Sequence, residues 1–252
     1  MKAIILSAGQ GRRLLPLTEN VPKCALTVAG RSTLEWQLQE IARCDIDEVV
    51  VVTGFGADKV DEIVARQTAM PVRTLYNPFY ARCDNLGTCW VARTEMNQPF
   101  VIINGDTLFE AAILRKLLDS NTDAPIKLVT DSKAAYDSDD MKVIVEQGCL
   151  QRVSKQLNTD KVNGESIGMM AFRANGPGEF SHKVEQLMRS SEGVKQWYLS
   201  AIDELAQVGL VGSCPIDGLS WCEIDDHADL EHAATVVCEW VSTVAPVASA
   251  CG

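Results

Sequence analysis

The residues best placed to do chemistry lie within the first thirty, MKAIILSAGQGRRLLPLTENVPKCALTVAG. A short apolar run, Ala3-Ile4-Ile5-Leu6, ends abruptly at Ser7-Ala8-Gly9-Gln10-Gly11. Such a run bounded by glycine reads as a buried strand of a parallel sheet. A glycine turn at its carboxyl end lets backbone N–H groups approach a ligand with no Cβ in the way. Arg12, Arg13 and Lys23 follow closely. Cations around an open backbone turn suit a polyphosphate. The spacing excludes a Walker loop, which needs Gly-Lys-Ser/Thr after four intervening residues. It also excludes the dinucleotide fingerprint, whose third glycine is replaced here by Leu14.

A second reactive point is Asn104-Gly105-Asp106, which ends the apolar run FVIIN. Ligands collect at the carboxyl ends of parallel strands, so Asp106 is directed to the same rim as the glycine turn. A carboxylate there suits Mg²⁺, which takes one or two carboxylates together with phosphates and water.

The elements that must position these residues follow from pattern. Glu48–Thr53 (EVVVVT) and Phe100–Asn104 read as buried strands. Ser32 and Glu35 have capping-box spacing ahead of Leu34, Leu38, Ile41 and Ala42 on one helix face. Helices are also expected over Ala57–Arg66 and Leu86–Met96. Strands alternating with helices imply α/β architecture, a mostly parallel Rossmann-like sheet flanked by helices. Beyond about Ala124 the pattern changes. Strands are expected at Ile126–Thr130, Lys142–Glu146 and Ile167–Phe172, with hairpin spacing around Gly148, as a mixed-sheet lid extension. Helices are expected at Gly178–Arg189, Lys195–Val208 and Ala228–Val241, and lid loops over Thr122–Ser138. In the lid, Lys142 and Lys155 sit near strand ends where paired cations could clamp a phosphate; solvated surface lysines are the alternative. Trp197-Tyr198 reads as core, or, if open to a pocket, as part of a cage for a quaternary amine.

The whole N-terminal string resembles the signature of the nucleoside-triphosphate transferases, the sugar-phosphate nucleotidyltransferase superfamily. Its pattern, Leu-x-Ala-Gly-x-Gly-x-Arg-Leu, then Pro-Leu-Thr, then Pro-Lys-x-Leu, is met by Leu6, Ala8, Gly9, Gly11, Arg13, Leu14, Pro16, Leu17, Thr18, Pro22 and Lys23. Cys24-Ala25-Leu26 departs from it by one position. The resemblance implies the nucleotide-diphospho-sugar transferase fold and places Leu6, Ala8, Gly9, Gly11 and Gly105 against the nucleotide. It gives Arg13 and Lys23 its phosphates and makes Asp106 a ligand of catalytic Mg²⁺. Trp221-x-x-x-Asp225 resembles the segment carrying the second metal aspartate, with Asp226 as the competitor that could instead cap the next helix. Asp84-Asn85 resembles the helix start that contacts base or ribose in cytidylyltransferase branches; an ordinary N-cap is the alternative. Glu165-Ser166-Ile167-Gly168 resembles the segment lining the acceptor pocket.

Within the superfamily the chain resembles the small cytidylyltransferases of phosphocholine, inositol phosphate or aminoethylphosphonate. The expected reaction joins a nucleoside triphosphate, CTP favoured, to a small phosphomonoester or phosphonate and releases pyrophosphate. The expected acceptor contacts are Lys142, Lys155, Glu165 and Trp197. A sugar-1-phosphate uridylyl-, thymidylyl- or guanylyltransferase is the runner-up, and a non-catalytic nucleotide-binding module a remote third. Leu86-Gly87-Thr88-Cys89-Trp90 partly matches the motif of the runner-up.

Bulk properties set the frame. A net charge of −11 argues against nucleic acid or an anionic membrane as partner. With 46% hydrophobic residues, 252 residues can bury a large core. The expected division is one domain over 1–243, a nucleotide half to about 123 and an acceptor half from about 124, with a frayed tail over 244–252. Four apolar residues after Lys2 are too few for a signal peptide, and nine cysteines show no C-x-x-C pair, so a cytoplasmic protein without disulfides is expected. Many relatives are dimers, so a homodimer is admitted, although no exposed apolar helix marks an interface.

Overall fold

The computed structural model describes residues 1–244 apart from 122, 159 and 217, and the side chains only as far as 240. The first strand, β1 (Lys2–Ser7), is buried on both faces, as its uninterrupted apolar run requires. After the glycine turn come a short ribbon, β2 (Thr27–Val28) and β3 (Arg31–Ser32), and helix α1 (Thr33–Ile41). The capping box forms: Glu35 N–H donates to Ser32 Oγ at 3.2 Å and Ser32 N–H to Glu35 Oε2 at 2.8 Å. The helix stops at Ile41, so Ala42 lies outside it and is exposed rather than on the buried face.

The alternation continues through β4 (Glu48–Thr53), α2 (Ala57–Val64), β5 (Val72–Tyr76), α3 (Asn85–Ala92), β6 (Phe100–Asn104), β7 (Thr107–Phe109) and α4 (Ala111–Asp119). The second half contains β8 (Ile126–Asp131), β9 (Lys142–Glu146), β10 (Cys149–Val153), β11 (Gly164–Phe172), α5 (Gly176–Met188) and α6 (Leu199–Gln207). It ends with β12 (Val211–Pro215), β13 (Trp221–Glu223) and α7 (His227–Val244). Within the expected lid loop over Thr122–Ser138, residues Ile126–Asp131 instead form strand β8, and an irregular loop runs from Ser132 to Met141; residue 122 lies outside the described residues. The tail from 245 lies outside the described residues.

One nine-stranded sheet carries the molecule, in the order β5-β4-β1-β6-β11-β8-β12-β10-β9. Strands β5, β4, β1 and β6 are mutually parallel, and β11 joins β6 antiparallel, so the sheet is mixed beyond the first half. The start of β11 also pairs with β9, which bends the second half back on itself. The β9–β10 hairpin turns through Gln147 (φ 51°) and Gly148 (φ 78°), the left-handed pair expected of a two-residue turn.

Period-2 alternation sorts β1 between two cores. Ile4 and Leu6 face the side covered by α3, α5 and α6, whereas Ala3 and Ile5 face α1, α2 and α4. A third core, under α7, gathers Leu14, Leu26, Trp36, Ile224 and Trp240. This explains Leu14 in the glycine loop: it is an apolar anchor with no exposed surface, tying the loop to the end of the chain.

The expected helix from Lys195 to Val208 is broken. A 3-10 turn covers Gly193–Lys195, and α6 begins only at Leu199. The carbonyls of Val194 and Gln196 accept from the N–H groups of Asp84 and Leu86, at 2.7 and 3.2 Å, and so serve the start of α3 instead of a helix of their own. No described cysteine forms a disulfide, and no described helix is long and apolar enough to cross a membrane.

Candidate active site

The glycine turn leaves the carboxyl end of β1 and is held by the motif that follows. Gly11 is left-handed (φ 77°), and a Cβ there would stand 2.9 Å from Lys23 Cβ. Thr18, fully buried, donates through Oγ1 to the Gly11 carbonyl at 2.8 Å, and Gln10 Nε2 donates to the Thr18 carbonyl at 3.1 Å. The Pro-Leu-Thr segment is thus folded back as a brace for the turn. A Cβ at Gly9 would meet nothing within 4 Å, so its backbone faces open space.

Beside this turn lies a cleft of about 830 Å³. Leu6, Ala8, Gly9, Asp84, Asn85 and Trp197, all expected contacts, line it. Asp84 makes no side-chain cap of α3; the Leu86 N–H donates to the Gln196 carbonyl and the Gly87 N–H to the Asp84 carbonyl at 3.0 Å. Partial burial raises its carboxyl above the ordinary value. Asn85 Oδ1 accepts from Tyr198 N–H at 2.8 Å, which fixes the amide at the cleft wall. Gly105, expected against the nucleotide, is also required by the packing of the sheet. A Cβ there would lie 2.3 Å from Ser7 Oγ and 2.6 Å from the Leu6 carbonyl, so it allows β6 to close against β1.

The ionic groups form one alternating chain. Lys23 Nζ lies 2.8 Å from Asp106 Oδ2 and 2.5 Å from Asp225 Oδ1. Arg13 joins Asp225 at 2.8 Å and Asp139 at 2.5 Å, and Lys155 meets the other oxygen of Asp139 at 2.6 Å. Burial opposes the charge on Lys23, but Asp106 and Asp225 outweigh it and hold the ammonium above its ordinary value. Burial likewise opposes ionisation of Asp225, and Lys23 with Arg13 reverses the effect. Glu223 is pushed up to about 8, first by burial and then by Asp106 and Asp225. Asp139 is held down to about 2 by Lys155 and Arg13.

Asp226 is engaged elsewhere: its Oδ1 accepts from the N–H groups of Ala228 and Asp229, at 2.8 and 3.1 Å, and caps α7. Asp106 Oδ1 is buried and has no hydrogen-bond partner. An orphaned hard oxygen on a carboxylate that shares Lys23 with a second carboxylate fits a divalent cation shared with phosphates. No described group of three or more His, Cys, Asp or Glu could hold a metal unaided.

On the acceptor side the picture is mixed. Lys142 is buried and its Nζ donates to the Lys155 carbonyl at 2.8 Å, so it supports the strand end that presents Lys155. Trp197 is 42% exposed and its ring lies 5.1 Å from Lys155 Nζ. Tyr198 cannot take part in an aromatic cage, because it is fully buried and its hydroxyl donates to Asn104 Oδ1 at 2.9 Å. Glu165 lies 3.2 Å from Lys133 and is pushed up to about 7, mainly by burial. Sequence reasoning missed Asp139, Lys133 and the Tyr198–Asn104 bond. Each depends on contacts between distant parts of the chain, and the only signal was the acidic run Asp137-Ser138-Asp139-Asp140.

A phosphate-type turn whose lysine and arginine are tied to strand-end carboxylates belongs to an enzyme that handles a nucleotide's charged tail, and the fold agrees with the nucleotidyltransferase class. The chain belongs to the family of the MobA-like NTP transferase domain, whose model matches residues 3–165. It is similar to the bifunctional IPC transferase and DIPP synthase of Aquifex aeolicus, 24% identical over 233 residues, covering 92% of this chain and 50% of that protein. It is also similar to CTP:phosphoglutamine cytidylyltransferase of Campylobacter jejuni, 23% identical over 251 residues, with 92% and 98% covered. The chain therefore spans about half the length of the first relative and nearly all of the second. Among solved structures, the inositol-1-phosphate CTP transferase of T. maritima superposes with a TM-score of 0.79 at 20% identity, over 97% of this chain and 98% of that one. The expected nucleotide-diphospho-sugar transferase fold is thus present.

Proposed function

We propose that this nucleotidyltransferase is a Mg²⁺-dependent cytidylyltransferase. It joins CTP to a small phosphomonoester or phosphonate and releases pyrophosphate. The observation that carries this reading is the buried, unpartnered Asp106 Oδ1, with Lys23 in contact with both Asp106 and Asp225. Asp106 and Asp225 would hold the Mg²⁺, which when bound neutralises phosphate charge at that rim.

The chain's own residues do the rest. The open backbone at Gly9 admits the triphosphate, whose β- and α-phosphates Arg13 and Lys23 hold, and the left-handed Gly11 lets the turn pack against Lys23. Lys155, supported by Lys142, takes the acceptor's phosphate on the opposite wall. An oxygen of that group attacks the α-phosphorus in line, and pyrophosphate leaves. No general base is required, because a phosphomonoester's second pKa is about 6 and the nucleophile is already mostly dianionic. Catalysis then rests on positioning and electrostatics.

Support for CTP comes from two sides. Similar proteins are named as CTP-dependent transferases of phosphoglutamine and inositol 1-phosphate. In addition, the uncapped Asp84 carboxylate at the cleft can accept from the amino group of cytosine and repels the O4 carbonyl of uracil. The test is pyrophosphate release with Mg²⁺, the four common nucleoside triphosphates and a panel of phosphomonoesters, phosphonates and hexose 1-phosphates. Turnover with CTP and a non-sugar acceptor is expected. Turnover confined to UTP, dTTP or GTP with a hexose phosphate would replace this reading with a sugar-phosphate nucleotidyltransferase.

A further inference from the structure

Asp139 joins two cations that the mechanism assigns to different phosphates. Arg13 comes from the glycine turn and Lys155 from the far wall, yet each meets one oxygen of this single carboxylate, at 2.5 and 2.6 Å. Asp139 is not carried on a loose arm. Asp137 Oδ1 accepts from the N–H groups of Asp139 and Asp140, at 2.7 and 3.2 Å. Asp140 is in turn held by Lys133 at 2.7 Å, and Lys133 reaches Glu165 on β11 at 3.2 Å. The turn is therefore anchored to the sheet and presents its carboxylate between the two cations. Arg13, whose other nitrogen is bound to Asp225, has both arms of its guanidinium occupied by carboxylates.

A phosphoryl group fits the same position. It offers three acceptor oxygens and up to about two negative charges, where a carboxylate offers two oxygens and one. An arriving phosphate would either replace Asp139 or face its charge at close range.

We infer that Asp139 is an internal occupant of the phosphoryl-binding positions at Arg13 and Lys155, a stand-in that bridges the two halves of the molecule and must be exchanged for substrate phosphate at either cation. The inference rests on the reading that phosphates enter at this rim, but not on which base or acceptor carries them. Its consequence is a built-in toll on binding: the apparent affinity is lowered by the fraction of molecules in which the carboxylate holds these positions. The same exchange frees Lys155 and Arg13 only when a phosphate is present.

The experiment is calorimetric titration of the full chain, in magnesium buffer, with inorganic pyrophosphate and, separately, methyl phosphate. Wild type is compared with Asp139→Asn and Asp139→Ala; the side chain is half-exposed, and the two variants differ in shape but both lack the charge. If Asp139 holds these positions in about nine molecules of ten, both variants bind about tenfold more tightly than wild type. A gain with pyrophosphate alone assigns the exchange to the nucleotide's tail, and a gain with methyl phosphate alone assigns it to the acceptor. Unchanged or weaker binding of both probes, or no binding by any of the proteins, overturns the inference. Hydrogen exchange over residues 132–141 gives a second readout. Exchange there should rise when wild type binds the probe, and added protection would overturn the inference by showing that Asp139 closes over the ligand. Neither probe carries a base, so a failure of CTP turnover would sink the proposed function and leave this result to be judged separately.

Discussion

At the scale of single residues, Asp225 and Asp226 are adjacent carboxylates with different surroundings. Asp225 meets Lys23 and Arg13, while Asp226 accepts from the first N–H groups of α7. Asp225→Asn is expected to lower turnover by at least about 10²-fold, the scale of losing one preorganised charge contact, with the melting temperature little changed. Asp226→Ala should do the reverse. It removes a helix cap worth about 1 kcal/mol and lowers the melting temperature while turnover stays close to wild type. Steady-state rates and thermal melts of the two variants check this, and a catalytic loss confined to Asp226→Ala would exchange the roles. On the proposed reading Asp84 selects the base, so Asp84→Asn should narrow the ratio of kcat/KM for CTP over UTP, because an amide can serve either base. An unchanged ratio would remove Asp84 from base selection.

At the scale of elements, the site is only as well placed as the strands that present it. Gly105 lets β6 close on β1, and a Cβ there would stand 2.3 Å from Ser7 Oγ. Gly105→Ala is expected to cost about 1–3 kcal/mol through overpacking, read as a lower denaturant midpoint, together with reduced turnover as Asp106 shifts. A variant as stable as wild type would show that the strands are not held that closely. On β11, burial raises Glu165 to about 7, above its unfolded value. Its contribution to stability is therefore fully present below the unfolded pKa, near about 4.3, and is lost as pH rises through 7. Glu165→Gln should flatten the fall in melting temperature between pH 5 and 8, and parallel pH profiles for variant and wild type would contradict this.

The same scale shows what the sequence could and could not reveal. β1, β4 and β6 were legible because each is an apolar run cut off by glycine, and the glycine turn was legible because its residue types have few other uses. β12 was not, because Val-Gly-Ser-Cys-Pro carries neither alternation nor a run. β5 is an edge strand whose residues are all partly exposed, so its pattern is weak. The break before α6 was hidden because helical spacing continues through Trp197. Only the packing of α3 reveals that the preceding carbonyls are needed elsewhere. Asp139 was invisible for a related reason: its partner Arg13 is 126 residues away in the chain.

At the scale of the whole molecule, a chain with a net charge of −11 must gather a polyanion. It does so locally, by alternating Asp106, Lys23, Asp225, Arg13, Asp139 and Lys155 across the two halves of one continuous sheet. Such an arrangement has little positive charge to spare, which favours the proposed divalent cation. The most direct measurement is pyrophosphate release from CTP, with Mg²⁺ and the best acceptor of the panel, by wild type, Lys23→Ala and Asp106→Ala. Wild type is expected to turn over in a manner that EDTA abolishes, and either variant at least about 10²-fold more slowly. Wild-type rates in both variants, or turnover that survives EDTA, would contradict the proposed function.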